Sequence, residues 1–194
     1  SAGTGKTTVA KMFAKLGVAV IDADKIVHDL LGTQGRCSKE VIKHFGPEIL
    51  KSPEGQSIDR KKLGEIVFRD SQRLKELEAI IHPQVSKEIV RQIAPYQASK
   101  KIKGVVLDIP LLFESGLDRY ADVTVVVIAP ERKQIARLTK RLGLNREQAL
   151  SRVRAQMPLK EKILLSDIVI DNGGNIALTQ NQVKKVWQNL ISPV

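Results

Sequence analysis

The amino end of the chain reads Ser1-Ala2-Gly3-Thr4-Gly5-Lys6-Thr7-Thr8. A phosphate-binding loop has the form Gly, four residues, then Gly-Lys-Ser/Thr. Gly5-Lys6-Thr7 is the end of that form, Ser1 to Thr4 are the four residues before it, and its opening glycine would stand just ahead of Ser1. Gly3 and Gly5 would let the backbone approach an anion with no Cβ in the way. Successive amide N–H groups would then cradle the anion at a helix start, where unpaired donors and the helix dipole favour negative charge. Lys6 would reach the β- and γ-phosphates, and the Thr7 hydroxyl would hold Mg²⁺. The plainer alternative is a glycine-rich start that only happens to precede a helix. The order of glycines, lysine, threonine and helix weighs against it.

Four further groups could act with such a loop. Asp22-Ala23-Asp24 ends the next apolar run, and ligands of open α/β sheets bind outside the carboxyl ends of strands. One carboxylate could orient Mg²⁺ or its water and the other accept a hydroxyl proton; equally, either could be a helix N-cap. Asp108-Ile109-Pro110 follows a second apolar run, as in the Walker B arrangement that polarises Mg²⁺, or simply as a polar strand end. Arg137 and Arg141 are four apart and share a helix face, with Arg132, Lys133, Lys140, Arg146, Arg152 and Arg154 around them. Most such charge is a solvated face, but one or two arginines could close over a triphosphate. His82 precedes Pro83, a setting more often structural than catalytic.

These groups need strands and helices to place them. Val9, Met12, Phe13 and Leu16, closed by Gly17, read as an amphipathic helix. Val18–Ile21 reads as a short buried strand. Residues 25 to 93 read as helical, broken at Gly32–Gly35, Gly46-Pro47 and Ser52–Gly55. One long stretch is expected from Asp59 to Ile81, with a kink or boundary at His82-Pro83. Strands are expected at Gly104–Asp108, Asp122–Ile128 and Asp167–Asp171, the last followed by the Asn172-Gly173-Gly174 turn. Basic helices are expected over Glu131–Leu142 and Arg146–Met157, the second opened by an Asn145/Gln148 capping box. A last helix is expected over Ile176–Leu190. Alternating strands and helices imply an α/β fold with a parallel sheet. The phosphate loop of such a fold follows a central strand, so an apolar strand ending in glycine is expected immediately upstream.

Composition bounds the partners. With 194 residues, the chain can bury roughly 70% of the surface it exposes when unfolded. One cysteine, Cys37, excludes an internal disulfide framework and a multi-cysteine zinc site. The longest near-continuous apolar runs, Val123–Ala129 and Val105–Leu107, fall far short of the ~20 residues of a membrane span. A soluble cytoplasmic protein without membrane attachment is therefore expected. Lys plus Arg is 32 against 21 for Asp plus Glu, a net +11 that favours anionic partners. Aromatic residues at 4% argue against stacking on single-stranded nucleic acid. Charge clustered between strands is explained more simply by substrate phosphates than by nucleic acid.

Taken in order, these motifs resemble the dephospho-coenzyme A kinase family. The resemblance rests on Gly3-Thr4-Gly5-Lys6-Thr7-Thr8, Val20-Ile21-Asp22-Ala23-Asp24, Asp59-Arg60-Lys61-Lys62-Leu63 and Ile81-His82-Pro83. It continues through Asp108-Ile109-Pro110-Leu111-Leu112-Phe113-Glu114, Ala155-Gln156-Met157 and Val169-Ile170-Asp171-Asn172. The departures are the absent opening glycine and threonines at 4 and 7 where serines are frequent.

The resemblance implies a three-layer P-loop NTPase-like α/β fold, a parallel sheet with helices on both faces. It implies a single kinase domain with core 1–24, 104–130 and 163–194, a helical acceptor-binding insertion 25–103 and a lid 131–162. The activity implied is Mg²⁺-dependent transfer of a phosphoryl group from ATP to the ribose 3′-hydroxyl of dephospho-coenzyme A. Ala2, Gly3, Thr4, Gly5, Lys6, Thr7, Thr8, Arg137 and Arg141 would bind ATP, with Mg²⁺ on Thr7. Asp24 would be the base, aided by Lys6 and Arg137. Asp24, Arg60, His82 and Asp108 would meet the acceptor. A nucleoside monophosphate kinase shares loop and lid but fits the motif order after residue 20 less well. A GTP-binding switch would need an Asn-Lys-x-Asp run, which the sequence lacks.

Overall fold

The computed structural model describes residues 1–52, 55–67, 69–99 and 102–192. Its elements in chain order are α1 (Lys6–Ala14), β1 (Ala19–Asp22), α2 (Ala23–Leu30), α3 (Ser38–Phe45), α4 (Arg60–Val67), α5 (Ser71–Gln97), β2 (Val105–Asp108), β3 (Val125–Ile128), α6 (Glu131–Leu142), α7 (Arg146–Arg154), α8 (Leu159–Leu164), β4 (Ile168–Asp171) and α9 (Ile176–Ile191). Short 3-10 turns lie at Pro47–Ile49 and Leu117–Tyr120. The chain divides into two compact units, Ser1–Ile21 with Tyr96–Val194, and Asp22–Pro95.

In the first unit the described strands pair as β1 with β2 and β3 with β4. β3 and β4 are parallel, from Val125 opposite Ile168 to Ile128 opposite Asp171. Parallel neighbours need a crossover, and α6 to α8 supply it. Val9, Met12 and Phe13 recur at helical spacing on α1 and bury against Val18, Val127, Ile170 and Val183, with Val186 and Trp187 alongside. The Phe13 and Trp187 rings meet edge to face at 6.4 Å. Each such side chain contributes roughly 1.5–3 kcal/mol by leaving water.

β3 begins at Val125, three residues later than the apolar run suggests. The Asp167 carboxylate takes both the N–H and the hydroxyl of Thr124, each at 2.7 Å, and Asp167 N–H donates back to Thr124 Oγ1 at 3.1 Å. These side-chain bonds close the start of the β3–β4 pair. The two Thr124 donors also hold the Asp167 carboxyl below its ordinary range.

The second helix of the basic stretch is shorter than expected. α7 stops at Arg154, and a separate α8 follows Pro158. The residue before a proline is pushed out of helical geometry, and Met157 is that residue. The capping box forms as expected, Asn145 Oδ1 accepting Gln148 N–H at 2.8 Å and Gln148 Oε1 accepting Asn145 N–H at 3.0 Å.

The second unit is helical. Ile26 and Leu30 of α2, Val41 and Phe45 of α3, Ile49, and Leu63 and Val67 of α4 are buried. Cys37 is 1% exposed between α2 and α3, its N–H bound to Leu30 O at 3.1 Å. Burial, and then Glu40, push its thiol pKa up. The stretch expected as one helix from Asp59 is two. Asp59 Oδ1 caps α4 through the N–H groups of Lys61 and Lys62 at 2.9 and 3.3 Å. Asp70 Oδ1 caps α5 through those of Gln72 and Arg73 at 2.8 and 3.3 Å. The expected break over Ser52–Gly55 includes 53 and 54, which lie outside the described residues.

Of the kink or boundary expected at His82-Pro83, the boundary is not there. α5 runs through both Pro83 and Pro95. Each proline removes one intrahelical hydrogen bond. Leu77, Ile81, Val85 and Ile89 recur every four residues and are all buried, so the apolar stripe spans Pro83 and tertiary packing outweighs the local preference.

Candidate active site

The Ser1–Thr8 loop is tied to neighbouring elements by side chains. Gly3 and Gly5 have φ of 71° and 95°, a left-handed geometry that glycine adopts without strain. A Cβ on Gly3 would lie 2.5 Å from Gln134 O on α6, so the loop's close approach to that helix also requires glycine. Gly5 is the N-cap of α1 and its carbonyl takes the N–H groups of Thr8 and Val9 at 3.0 and 3.1 Å. The first amides of α1 have no intrahelical carbonyl to bind, which leaves a helix start suited to an anion.

Three elements converge on this loop. From β2, the Asp108 carboxylate accepts the Thr7 hydroxyl at 2.8 Å. From α6, Arg137 Nη1 donates to Gly3 O and Thr4 O at 3.2 and 2.9 Å, and its Nη2 to Asn172 O at 2.9 Å. Beyond β4, Asn172 Nδ2 donates to Thr4 O at 2.8 Å, and its Oδ1 accepts the Thr179 hydroxyl at 3.1 Å. Lys133, one turn before Arg137, reaches Gly173 O. Thr4 is fully buried, its hydroxyl bound to Ser1 O at 2.9 Å.

The sequence candidates thus divide. Ala2 to Thr8, Asp108 and Arg137 come together in the first unit. Arg141 lies one turn beyond Arg137 on α6 and is exposed. Asp24, Arg60 and His82 belong to the second unit. There the helix-cap alternative for Asp-Ala-Asp falls to Asp22. β1 ends at that residue and α2 begins at Ala23, so the pair does not stay extended. Asp22 is the N-cap, accepting Lys25 N–H at 3.2 Å. Asp24 falls in the exposed first turn of α2. Arg60 opens α4 immediately after its Asp59 cap and is exposed, and His82 is half-buried on α5.

Sequence reasoning assigned no role to Asn172, Lys133 or Thr179. The signal for the first was present, a small polar turn directly after a strand, but its bond to Thr4 O joins residues 168 apart in sequence.

A family model described as dephospho-CoA kinase matches residues 1–177. The chain belongs to the dephospho-CoA kinase family. A dephospho-CoA kinase of Carboxydothermus hydrogenoformans is 46% identical over 185 residues, covering 95% of this chain and 88% of the relative. One of Symbiobacterium thermophilum is 45% identical over 188 residues, covering 97% and 77%. Among solved structures, a dephospho-CoA kinase from Campylobacter jejuni superposes with a TM-score of 0.69 at 33% identity, over 96% of this chain and 92% of that one. TT1252 from Thermus thermophilus gives 0.85 at 30% identity, over 100% and 95%. The P-loop NTPase-like α/β fold expected from the sequence is the fold this chain shares with its family. Among the described residues no helix is long and apolar enough to cross a membrane.

Proposed function

We propose that this chain transfers the γ-phosphoryl group of ATP to the ribose 3′-hydroxyl of dephospho-coenzyme A, the last step of coenzyme A synthesis. One observation carries the reading beyond family membership. The loop that ends in Lys6 and Thr7 is shaped by left-handed glycines, and its Thr7 hydroxyl meets a strand-end carboxylate, Asp108, at 2.8 Å. Hydroxyl and carboxylate oxygens are the hard donors that Mg²⁺ takes alongside phosphate oxygens and water, so Thr7 and Asp108 fit that ion. Bound there, Mg²⁺ would supply neutralising charge to the transferred group.

The other roles belong to the chain's own side chains. The amides between Gly3 and Thr7 bind the phosphates, and Lys6 neutralises charge on the γ-phosphoryl group. Asp24 orients the acceptor hydroxyl and takes its proton as the bond to phosphorus forms. Arg137 holds the loop through Gly3 O and Thr4 O and adds positive charge beside it; Arg141 extends that charge along α6. Stretch 131–162 acts as the lid that keeps water from the reacting phosphate. Residues 25–103, with Arg60 and His82, bind the acceptor. The net charge of +11 then serves two polyanionic substrates rather than nucleic acid, in a cytoplasmic enzyme.

The test is product analysis. Incubation with ATP, Mg²⁺ and dephospho-coenzyme A should yield one new phosphomonoester, on the ribose 3′ oxygen. Phosphate found elsewhere, or a nucleoside monophosphate preferred as acceptor, would overturn the proposal.

A further inference from the structure

Two motifs have as yet no part in the reaction, Ala155-Gln156-Met157 and the loop from Ile109 to Glu114. They act at adjacent points. Gln156 Oε1 accepts the N–H of Ala2, inside the phosphate-binding loop, at 2.7 Å. The next residue, Met157, donates its N–H to Glu114 Oε1 at 3.0 Å. That same oxygen takes Lys162 Nζ at 2.7 Å. The Lys162 side chain is only 4% exposed. A charge so buried is costly unless paired and hydrogen-bonded, so Lys162 fixes Glu114, and Glu114 fixes the backbone that carries Gln156.

We infer that Gln156 is a positioning residue for the nucleotide-binding loop, anchored by the Glu114–Lys162 pair. Its side-chain carbonyl fixes the Ala2 peptide, so that the amides following it keep the orientation phosphate requires. Because Gln156 lies on the return from α7 to α8, the stretch proposed as lid is joined to the loop at that point. The inference rests on the reading of Ser1–Thr8 as the nucleotide loop. Burial alone would disfavour charge on Glu114. The Lys162 ammonium and the N–H groups of Glu114 and Met157 outweigh it and hold the carboxyl below the usual glutamate range.

Gln156→Met keeps the length and removes the acceptor. Gln156→Glu keeps a carbonyl oxygen and adds charge only when ionised. KM for ATP, KM for dephospho-coenzyme A and Tm should be measured on the full chain from mildly acidic to mildly alkaline pH. Gln156→Met should raise KM for ATP about threefold to tenfold, the worth of one hydrogen bond. The rise should hold at every pH, with acceptor KM unchanged and only the small drop in Tm that one lost hydrogen bond brings. For Gln156→Glu, burial and the neighbouring triphosphate should raise the introduced carboxyl's pKa, so the ratio of ATP KM to that of the parent should climb from the acid to the alkaline end as it ionises. A side chain with only a structural part would lower Tm and move neither the ATP-specific KM nor its pH profile; that result overturns the inference. Glu114→Leu with Lys162→Met removes the anchor without leaving a buried charge and should raise KM for ATP about twofold to threefold. An unchanged value would remove the anchor. Lys6→Met separates the two readings. If it binds ATP like the parent, the loop assignment itself fails. If it loses ATP while Gln156→Met does not, only the inference about Gln156 falls.

Discussion

Thr4 and Ile89 are both fully buried, and they are held in opposite ways. Thr4 stands in the Ser1–Thr8 loop, its carbonyl taken by Asn172 and Arg137 and its hydroxyl bound to Ser1 O. Ile89 stands on α5 in a stripe of Leu77, Ile81 and Val85. Directional bonds fix a peptide's position and tolerate little change in the partner. An apolar stripe tolerates swaps that conserve volume. Polar ties suit a loop proposed to offer its amides to one anion in one geometry. The helical unit must keep long elements together, and non-directional burial does that.

The sharpest way to break this contrast is chemical. Asp24 is an exposed residue of the helical unit, yet it is proposed as the base. Asp24→Asn should lower kcat by about 10²- to 10⁴-fold, the usual worth of a general base, with ATP affinity retained by equilibrium titration. Unchanged turnover would place all the chemistry in the unit that carries the loop.

Next in size is the buried ion pair. Glu114→Gln leaves Lys162 without a counter-charge and should destabilise the fold by about 3–5 kcal/mol, read by denaturant melts. Because the Glu114 pKa is lowered by folding, the pair's contribution is complete above the ordinary glutamate pKa and is lost as pH falls through the lowered one. The gap between parent and variant should therefore be constant near neutrality and narrow in acid. A gap independent of pH would mean that Glu114 does not act as a charge.

In the helical unit, Ile89→Ala should cost about 2–5 kcal/mol, whereas Ile89→Leu should cost less than about 1.5 kcal/mol. Equal losses in the two would show that shape, not burial, governs α5. The smallest effect is expected at the surface. Asn145→Ala removes the cap of α7 and should cost about 1 kcal/mol, measurable as a small drop in Tm.

The contrast also explains what the sequence made legible. Strands β1, β2 and β4 and helices α1, α6 and α9 were read closely because each carries an apolar run or stripe bounded by its own turn residues. The loop was read because glycine, lysine and threonine fall together within eight residues. Failures occurred where distant parts decide. Pro83 signals a boundary locally, but the stripe crossing it is buried, and the helix continues. The start of β3 was misplaced because Asp167 caps Thr124 from across the pair; α8, by contrast, was missed although its cause is local, Pro158 pushing Met157 out of helical geometry. Asn172 and Lys133 gave little local signal for their contacts with Thr4 and Gly173, since sequence separation hides such pairs.

Cys37 has a further use. It is the chain's single thiol, sealed between α2 and α3 with a pKa raised by burial. An alkylating reagent can reach it only when that seam parts. The rate of labelling therefore reports the breathing of the helical unit, and added dephospho-coenzyme A should slow it if the acceptor clamps that unit shut.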